Sequence, residues 1–232
     1  MMDYSGLPAR LAGIRDRIEA ACHRVGRDPR GVEIVAVTKT HPVEAVRAAL
    51  AAGLVNIGEN RVQELESKVD AAGVEGARWH LIGHLQRNKA RQAIELADLI
   101  HSVDSIRLAQ KLSEEAVDSG RQVEVLVQVN VSGEETKGGL EGPGTLDSLG
   151  GICLLPGLRV VGLMTMAPFT ADEGVVREVF RAVRRLAEEA GSLPGFQSRH
   201  LSMGMSGDFE LAVEEGSTLV RIGTALLGER DP

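Results

Sequence analysis

Residues 35 to 42 read "VAVTKTHP". A short apolar run ends in Lys39, and Pro42 follows three positions later. The run predicts a buried strand with Lys39 at its C-terminal end. Side chains alternate along a strand, so Val35, Val37 and Lys39 share one face while Ala36 and Thr38 share the other. If Val35 and Val37 point inward, Lys39 stands above an apolar floor. A lysine in such a place is poorly hydrated, and the neutral amine is the nucleophile that forms a Schiff base with an aldehyde or ketone. The chain has only five lysines. Lys68, Lys89 and Lys111 fall in helical patterns and are expected to be solvated. Lys137 lies in the loop "VSGEETKGG". Lys39 is therefore the best candidate imine former, against the plainer alternative of a lysine that snorkels to water.

A second set of residues lies near the other end of the chain. "HLSMGMSGD" (200–208) follows a short strand and opens a helix, and "VRIGTALLG" (220–228) carries Gly223 and Thr224 past the last strand. Ser202, Gly204, Ser206 and Gly207 are small, so backbone N–H groups can approach a ligand there, and a helix start favours an anion. Ser206 is also a good plain N-cap. An amine for an aldehyde and a cradle for a phosphate are together what pyridoxal 5′-phosphate (PLP) requires. Arg221 shares a strand face with Leu219 and Gly223. It either enters the interior, where a permanently charged guanidinium would keep a pyridine nitrogen unprotonated, or lies on a frayed strand end. His80 and His84 have metal-like i, i+4 spacing. On a strand and its exit, however, they would stand about 13 Å apart, too far to share an ion. Met164, Met166 and Pro168 read as wall packing.

These groups need elements to hold them. Leu7, Leu11, Ile14, Ile18 and Val25 predict a helix over 7–25. Strands and helices then alternate. Strands are expected at 32–37, 54–57, 79–82, 99–103, 123–129, 158–163, 199–201 and 218–222. Helices are expected at 42–52, 62–72, 88–96, 106–117, 145–153, 173–190 and 209–215. Eight such units predict an α/β fold, a single (β/α)8 TIM-type barrel over residues 1–232 with an extra N-terminal helix. An open doubly wound sheet is the alternative. In a barrel the strand C-terminal ends form the site, and the loops after strands seven and eight form its recurrent phosphate cradle. Those ends carry Lys39, Gly58-Glu59-Asn60, Gly83-His84, Asp104, Asn130, Met164, Ser202 and Gly223-Thr224.

The composition is that of an ordinary globular chain of 232 residues, 43% hydrophobic and 25% charged, with formal charge −7. There is no basic block, which argues against nucleic acid or an anionic membrane as partner. No stretch approaches a membrane span, and the N-terminus lacks a secretory core. Cys22 and Cys153 read as free buried thiols of a reducing compartment. The expected location is the cytoplasm.

The stretches "VAVTKTHP", "IGENRVQE", "WHLIGHLQRNK", "VNVSGEETKGG", "GLMTMAP" and "LSMGMSGDFELAVEEGSTLVRIGTALLG" together resemble the pyridoxal phosphate homeostasis protein family. More remotely they are similar to the N-terminal barrel of alanine racemase. The resemblance implies a fold-type III barrel holding PLP as an internal aldimine on Lys39. It implies Ser202, Ser206, Gly223 and Thr224 around the phosphate, Asn60 lining the cofactor and Arg221 facing the pyridine nitrogen. His84 and Arg87 depart from the family's "GPLQSNK" pattern. The implied role is binding, buffering or delivery of PLP, and no substrate turnover is firmly implied. PLP-requiring apo-enzymes are expected as recipients and a monomer as the working form. Lys137 is an open second attachment point. The competing readings are an amino-acid racemase on the same barrel and a cofactor-free Schiff-base aldolase. A racemase needs a base on the opposite face of the ring, and the one tyrosine, Tyr4, is expected to lie far from the barrel mouth.

Overall fold

The computed structural model describes residues 3–71, 73–131 and 138–228. Helix α1 (Leu7–Arg24) comes first. Eight strand–helix units follow: β1 (Glu33–Val37) and α2 (Val43–Ala51), β2 (Asn56–Glu59) and α3 (Val62–Val69), β3 (Arg78–Leu81) and α4 (Ala90–Leu96), β4 (Leu99–Val103) and α5 (Ile106–Asp118). The second half continues with β5 (Val123–Gln128) and α6 (Thr145–Cys153), β6 (Leu158–Met164) and α7 (Glu173–Ala190), β7 (Phe196–Met205) and α8 (Phe209–Glu214), β8 (Leu219–Ile222) and α9 (Thr224–Leu227). All neighbouring strands are parallel, each pairs with its neighbours in sequence, and β8 closes on β1. The sheet is thus a closed (β/α)8 barrel and not an open doubly wound one.

Strand parity divides the core in two. Ile34 and Ala36 of β1 pack outward under the helices, whereas Val35 joins Leu99, Leu126, Val161, Met164 and Leu219 inside the barrel. The helices close the outer layer through apolar stripes. In α7, Val176, Val179, Phe180, Val183, Ala187 and Ala190 are buried, at the three-to-four spacing that puts them on one face. Asp172 caps its start by accepting from the N–H groups of Gly174 and Val175. Helix α1 packs on α8 and α9, pinned by the ion pair of Arg17 with Glu210 at 2.7 Å and by Arg10 Nε donating to the Leu226 carbonyl at 2.7 Å. At the N-terminal end of the barrel Glu124 accepts from Arg78 at 2.9 Å and from Arg199 at 2.7 Å. Arg159 also lies 3.7 Å from it, so one carboxylate offsets part of the charge of three arginines.

Three expectations are corrected. Strand β7 runs for 10 residues, not three. Its sequence hides it because Gln197, Ser198 and Arg199 are exposed while the inward positions His200 and Ser202 are polar, so no apolar alternation marks the strand. Strand β2 starts two residues later than the apolar run suggests and takes in two buried polar residues, Asn56 facing His80 in the interior and Glu59 facing Lys68 of α3. Lys68 is not solvated: only 5% of it is exposed. It lies three residues beyond Leu65 on the same inward face of α3, where its ammonium meets Glu59. Cys22 and Cys153 are free and buried. Among the described residues, no helix is long and apolar enough to cross a membrane.

Candidate cofactor site

A cavity of about 430 Å³ opens at the C-terminal ends of the strands, lined among others by Lys39, Asn60, Ser206, Arg221, Gly223 and Thr224. Six of the seven site residues expected from the sequence therefore meet in one place, contributed by β8 and by the segments that follow β1, β2, β7 and β8. The volume suits a small ligand. Val37, Ile82, Met166 and Pro168 give the cavity apolar walls, and Phe169 stands fully exposed at its rim.

Lys39 is half-buried. Among the described residues its amine makes no ion pair and no hydrogen bond, so it is uncommitted. Its backbone is held on both sides. The Thr38 hydroxyl donates to Glu59 Oε1, and Lys68 Nζ donates to the Thr38 carbonyl at 2.7 Å. Beyond Lys39, Thr40 has φ +62°, a left-handed conformation that a β-branched residue rarely adopts. Its N–H donates to Glu64 Oε2 at 3.0 Å and its hydroxyl to the Lys39 carbonyl at 2.6 Å. Backbone strain of this kind persists only where the surroundings hold it. Here Glu59, Glu64 and Lys68 do the holding. Glu59 was legible only as a polar strand end, and Glu64 and Lys68 did not stand out, because a charged residue on a short helix reads as a solvated face.

Arg221 enters the barrel interior and lines the cavity. Its guanidinium donates to Ser202 Oγ at 2.6 Å, to the Ser202 carbonyl at 2.8 Å and to the Thr165 carbonyl at 2.9 Å. Burial pushes its pKa down to about 10, while Asp208 pulls it upward. Asp208, which sequence reasoning passed over, also lines the cavity and closes the turn after β7 by accepting from the Met205 N–H at 2.5 Å. Its position at the end of "SMGMSGD" was the signal available. Burial raises its carboxyl above the ordinary value.

Ser202 is the expected residue that the structure takes elsewhere. It is fully buried, and its hydroxyl is engaged by Arg221 and by His101 Nδ1 at 2.9 Å, below the cavity. Strand parity carries it into the interior with Arg221, so it does not reach the mouth. Gly204 likewise serves packing: at φ +92° an added Cβ would stand 2.6 Å from the Ala212 Cβ. Ser206 is at the mouth, where its hydroxyl accepts from the Ala225 N–H at 3.3 Å. Gly83 leaves room for Asn60, since a Cβ there would come within 2.6 Å of the asparagine side chain. His80 and His84 part company. His80 lies in the barrel interior, and His84 pairs with Asp104 at 3.0 Å on the rim. Tyr4 is nearer the mouth than expected: its hydroxyl meets His41 Nδ1 at 3.2 Å, two residues past Lys39, but it does not line the cavity. Lys137 lies outside the described residues.

The donor set suits PLP. An uncommitted amine, two hydroxyls, the backbone around Gly223 and a buried guanidinium surround a cavity with apolar walls.

A closed parallel barrel with a lysine at the end of its first strand and small hydroxyl-bearing loops after the last two defines an alanine racemase-type barrel, and the alanine racemase N-terminal domain model matches residues 10–231. The chain is 44% identical over 222 residues to the pyridoxal phosphate homeostasis protein of Aquifex aeolicus, covering 95% of this chain and 97% of that one. It superposes on the structure of PipY from Synechococcus elongatus with PLP bound at a TM-score of 0.84 and 37% identity, covering 96% of this chain and all of that one. The chain belongs to the pyridoxal phosphate homeostasis protein family. Alanine racemase from Streptomyces coelicolor shares the fold at 23% identity and a TM-score of 0.71, and this chain covers 59% of it.

Proposed function

We propose that this protein binds PLP covalently through Nζ of Lys39 and holds it as an exchangeable store for PLP-requiring enzymes. The observation that carries the reading is the uncommitted Lys39 amine on the wall of a cavity that also presents Arg221, Gly223 and Thr224. The name borne by its relatives and the PLP held by PipY support it.

When bound, the cofactor supplies an aldehyde that condenses reversibly with an amine and a ring that withdraws electrons from it. The chain's own residues do the rest. Thr38 and Thr40, clamped by Glu59, Lys68 and Glu64, hold the Lys39 backbone in register. Ser206, Thr224 and the backbone at Gly223 bind the phosphate. Asn60 would line the ring, and Arg221 would present N–H groups toward the ring nitrogen. A guanidinium gives up no proton near neutrality, so that nitrogen would stay unprotonated and the ring would be a weak electron sink. This suits storage better than chemistry at a substrate carbon. The same reading includes a monomer working in the cytoplasm and docking of apo-enzymes at the open mouth.

The test is borohydride reduction of the PLP-loaded protein followed by peptide mapping. The label is expected on the Lys39 peptide, and the absorbance near the visible edge is expected to vanish in Lys39→Ala while the fold remains. A label on another lysine, Lys137 included, or no chromophore after incubation with PLP, overturns the assignment.

A further inference from the structure

Arg221 is a buried cation with an unusual environment. Among the described residues no carboxylate pairs with it directly; Asp208 acts on it only at longer range. A buried charge without a direct partner depends on well-oriented hydrogen bonds. One of these leads away from the cavity. Arg221 reaches Ser202 Oγ at 2.6 Å, Ser202 Oγ meets His101 Nδ1 at 2.9 Å, and His101 Nε2 meets His80 Nδ1 at 2.9 Å. The line continues from His80 Nε2 to Asn56 Oδ1 at 3.2 Å and from Asn56 Nδ2 to Glu33 Oε2 at 2.8 Å. Glu33 opens β1 at the opposite end of the barrel from the cavity.

We infer that Ser202, His101, His80 and Asn56 form a one-way hydrogen-bond relay, ending at Glu33, that holds the Arg221 guanidinium in place on the cavity floor. The four are positioning residues. The inference rests on the proposed cofactor only for what Arg221 faces, not for the relay itself.

The direction follows from the Glu33 end. An ionised carboxylate only accepts, so Asn56 turns its NH₂ to Glu33 and its carbonyl oxygen to His80. His80 must then carry its proton on Nε2, and its Nδ1 accepts. That makes His101 a donor through Nε2 and an acceptor at Nδ1. Ser202 therefore donates its single proton to His101, and its oxygen is left to accept from Arg221. The other end is compatible with this order: the guanidinium can only donate, so the Ser202 oxygen receives its N–H and the hydroxyl proton is free for His101. Five links agree on one polarity, and aligned hydrogen bonds strengthen one another in a low dielectric.

Both rings are held neutral, as this scheme requires. Burial drives His80 down to about 3, with Arg78 and His200 adding to it. Burial also drives His101 well below the usual imidazole value, helped by His80, Arg221, His200 and Arg78. The permanently charged neighbours named here, Arg78 and Arg221, are cations, which disfavour a positive charge on either ring. The relay also explains why Ser202 cannot serve a phosphate: its proton is already committed.

The test starts with the apoprotein labelled with ¹⁵N at histidine. Two-bond ¹⁵N–¹H correlation spectra near neutral pH show which ring nitrogen bears the proton. Both His80 and His101 are expected as the Nε2–H tautomer. In Ser202→Ala the tautomer is expected to persist, because His80 still accepts from His101, while the His101 Nδ1 resonance shifts on losing the hydroxyl it accepts from. An Nδ1–H tautomer or an imidazolium at either ring, or an unshifted His101 Nδ1 in Ser202→Ala, overturns the relay. PLP and its 1-deaza analogue, in which CH replaces the ring nitrogen, are then titrated into wild type, Ser202→Ala and His101→Phe. The variants are expected to bind PLP about tenfold more weakly, as for one weakened charge-assisted hydrogen bond, with the analogue changed by less than about twofold. Equal losses for both ligands, or no loss for PLP, overturn the positioning role. A wild type that binds neither ligand overturns the cofactor reading and the role together, while the tautomers of the apoprotein still decide the relay.

Discussion

Nζ of Lys68 lies 2.5 Å from Oε1 of Glu59, and both side chains are almost completely buried beneath the loop that carries Lys39. The pair also grips Thr38, Lys68 through the carbonyl and Glu59 through the hydroxyl. Glu59 Oε2 has no hydrogen-bond partner. Burial raises the Glu59 carboxyl above its ordinary value, although Lys68 opposes that shift. Contact with Glu64 adds to the rise.

Removing one partner should therefore cost far more than a surface ion pair. Lys68→Met is expected to destabilise the fold by about 3–5 kcal/mol, because it leaves Glu59 buried and unpaired. A carboxyl with a raised pKa in the folded state binds its proton more tightly there than in the unfolded chain. Folding is then favoured as pH falls through that range and disfavoured as pH rises. The urea-derived loss in Lys68→Met should thus be largest near pH 8 and smaller near pH 5. An equal loss at both values would show that Glu59 is not the destabilised group.

Phosphate recognition should reside at the mouth. Thr224→Val is expected to weaken PLP binding about tenfold or more, the loss of one charge-assisted hydrogen bond. Ser206→Ala should act in the same direction. Pyridoxal without its phosphate should bind much more weakly than PLP to the wild type and be indifferent to Thr224→Val. Calorimetric titration of both ligands checks this, and equal affinities would remove the phosphate from these residues.

Racemisation is expected to be negligible. It requires a proton taken from one face of the substrate and returned to the other by two positioned groups. Lys39 serves one face. Tyr4, the only tyrosine, is bonded to His41 and does not line the cavity. A missing acid or base typically removes about 10²–10⁴ in rate. Deuterium exchange at the α-carbon of L- and D-alanine with chiral analysis is the measurement. Turnover near about 1 s⁻¹, an ordinary enzyme rate, that is lost in Lys39→Ala would restore the racemase reading.

Acid should unfold the barrel through its interior histidines. The folded value of His80 is depressed to about 3 by burial, and that of His101 also lies well below the usual value. Unfolded imidazoles accept a proton near pH 6.5. Their contribution is therefore present above about pH 6.5 and lost as pH falls toward the folded values, by at most about 1.4 kcal/mol per pH unit for each ring. His80→Gln should flatten the acid limb of stability against pH. Urea midpoints measured between about pH 7 and 4 decide it, and an unchanged slope would mean that the ring titrates freely in the folded protein.

The sequence by itself determined the barrel and most of its mouth. Alternation of apolar runs with period-3.6 stripes is local information, and it placed all eight strands and seven of the helices that follow them. Parity within a strand is equally local. It put Val35, Val37 and Lys39 on one face, and Leu219, Arg221 and Gly223 on another, before any contact was visible. The tertiary structure decided what the polar residues do once inside. Ser202 looked like a mouth residue because it follows a short apparent strand and opens a stretch of small residues, but strand β7 continues past it and carries its hydroxyl below the cavity. Lys68 looked solvated because charge on a helix usually is. Only the closure of β2 against α3 puts Glu59 within reach of its ammonium. His80, His101 and Asn56 lie on three strands and join Ser202 and Arg221 on two more, and each alone is an ordinary residue. Their hydrogen bonds span sequence separations of 19 to 101 residues. No local pattern encodes such pairs, because a buried polar group is made tolerable by partners that only the closed barrel brings to it.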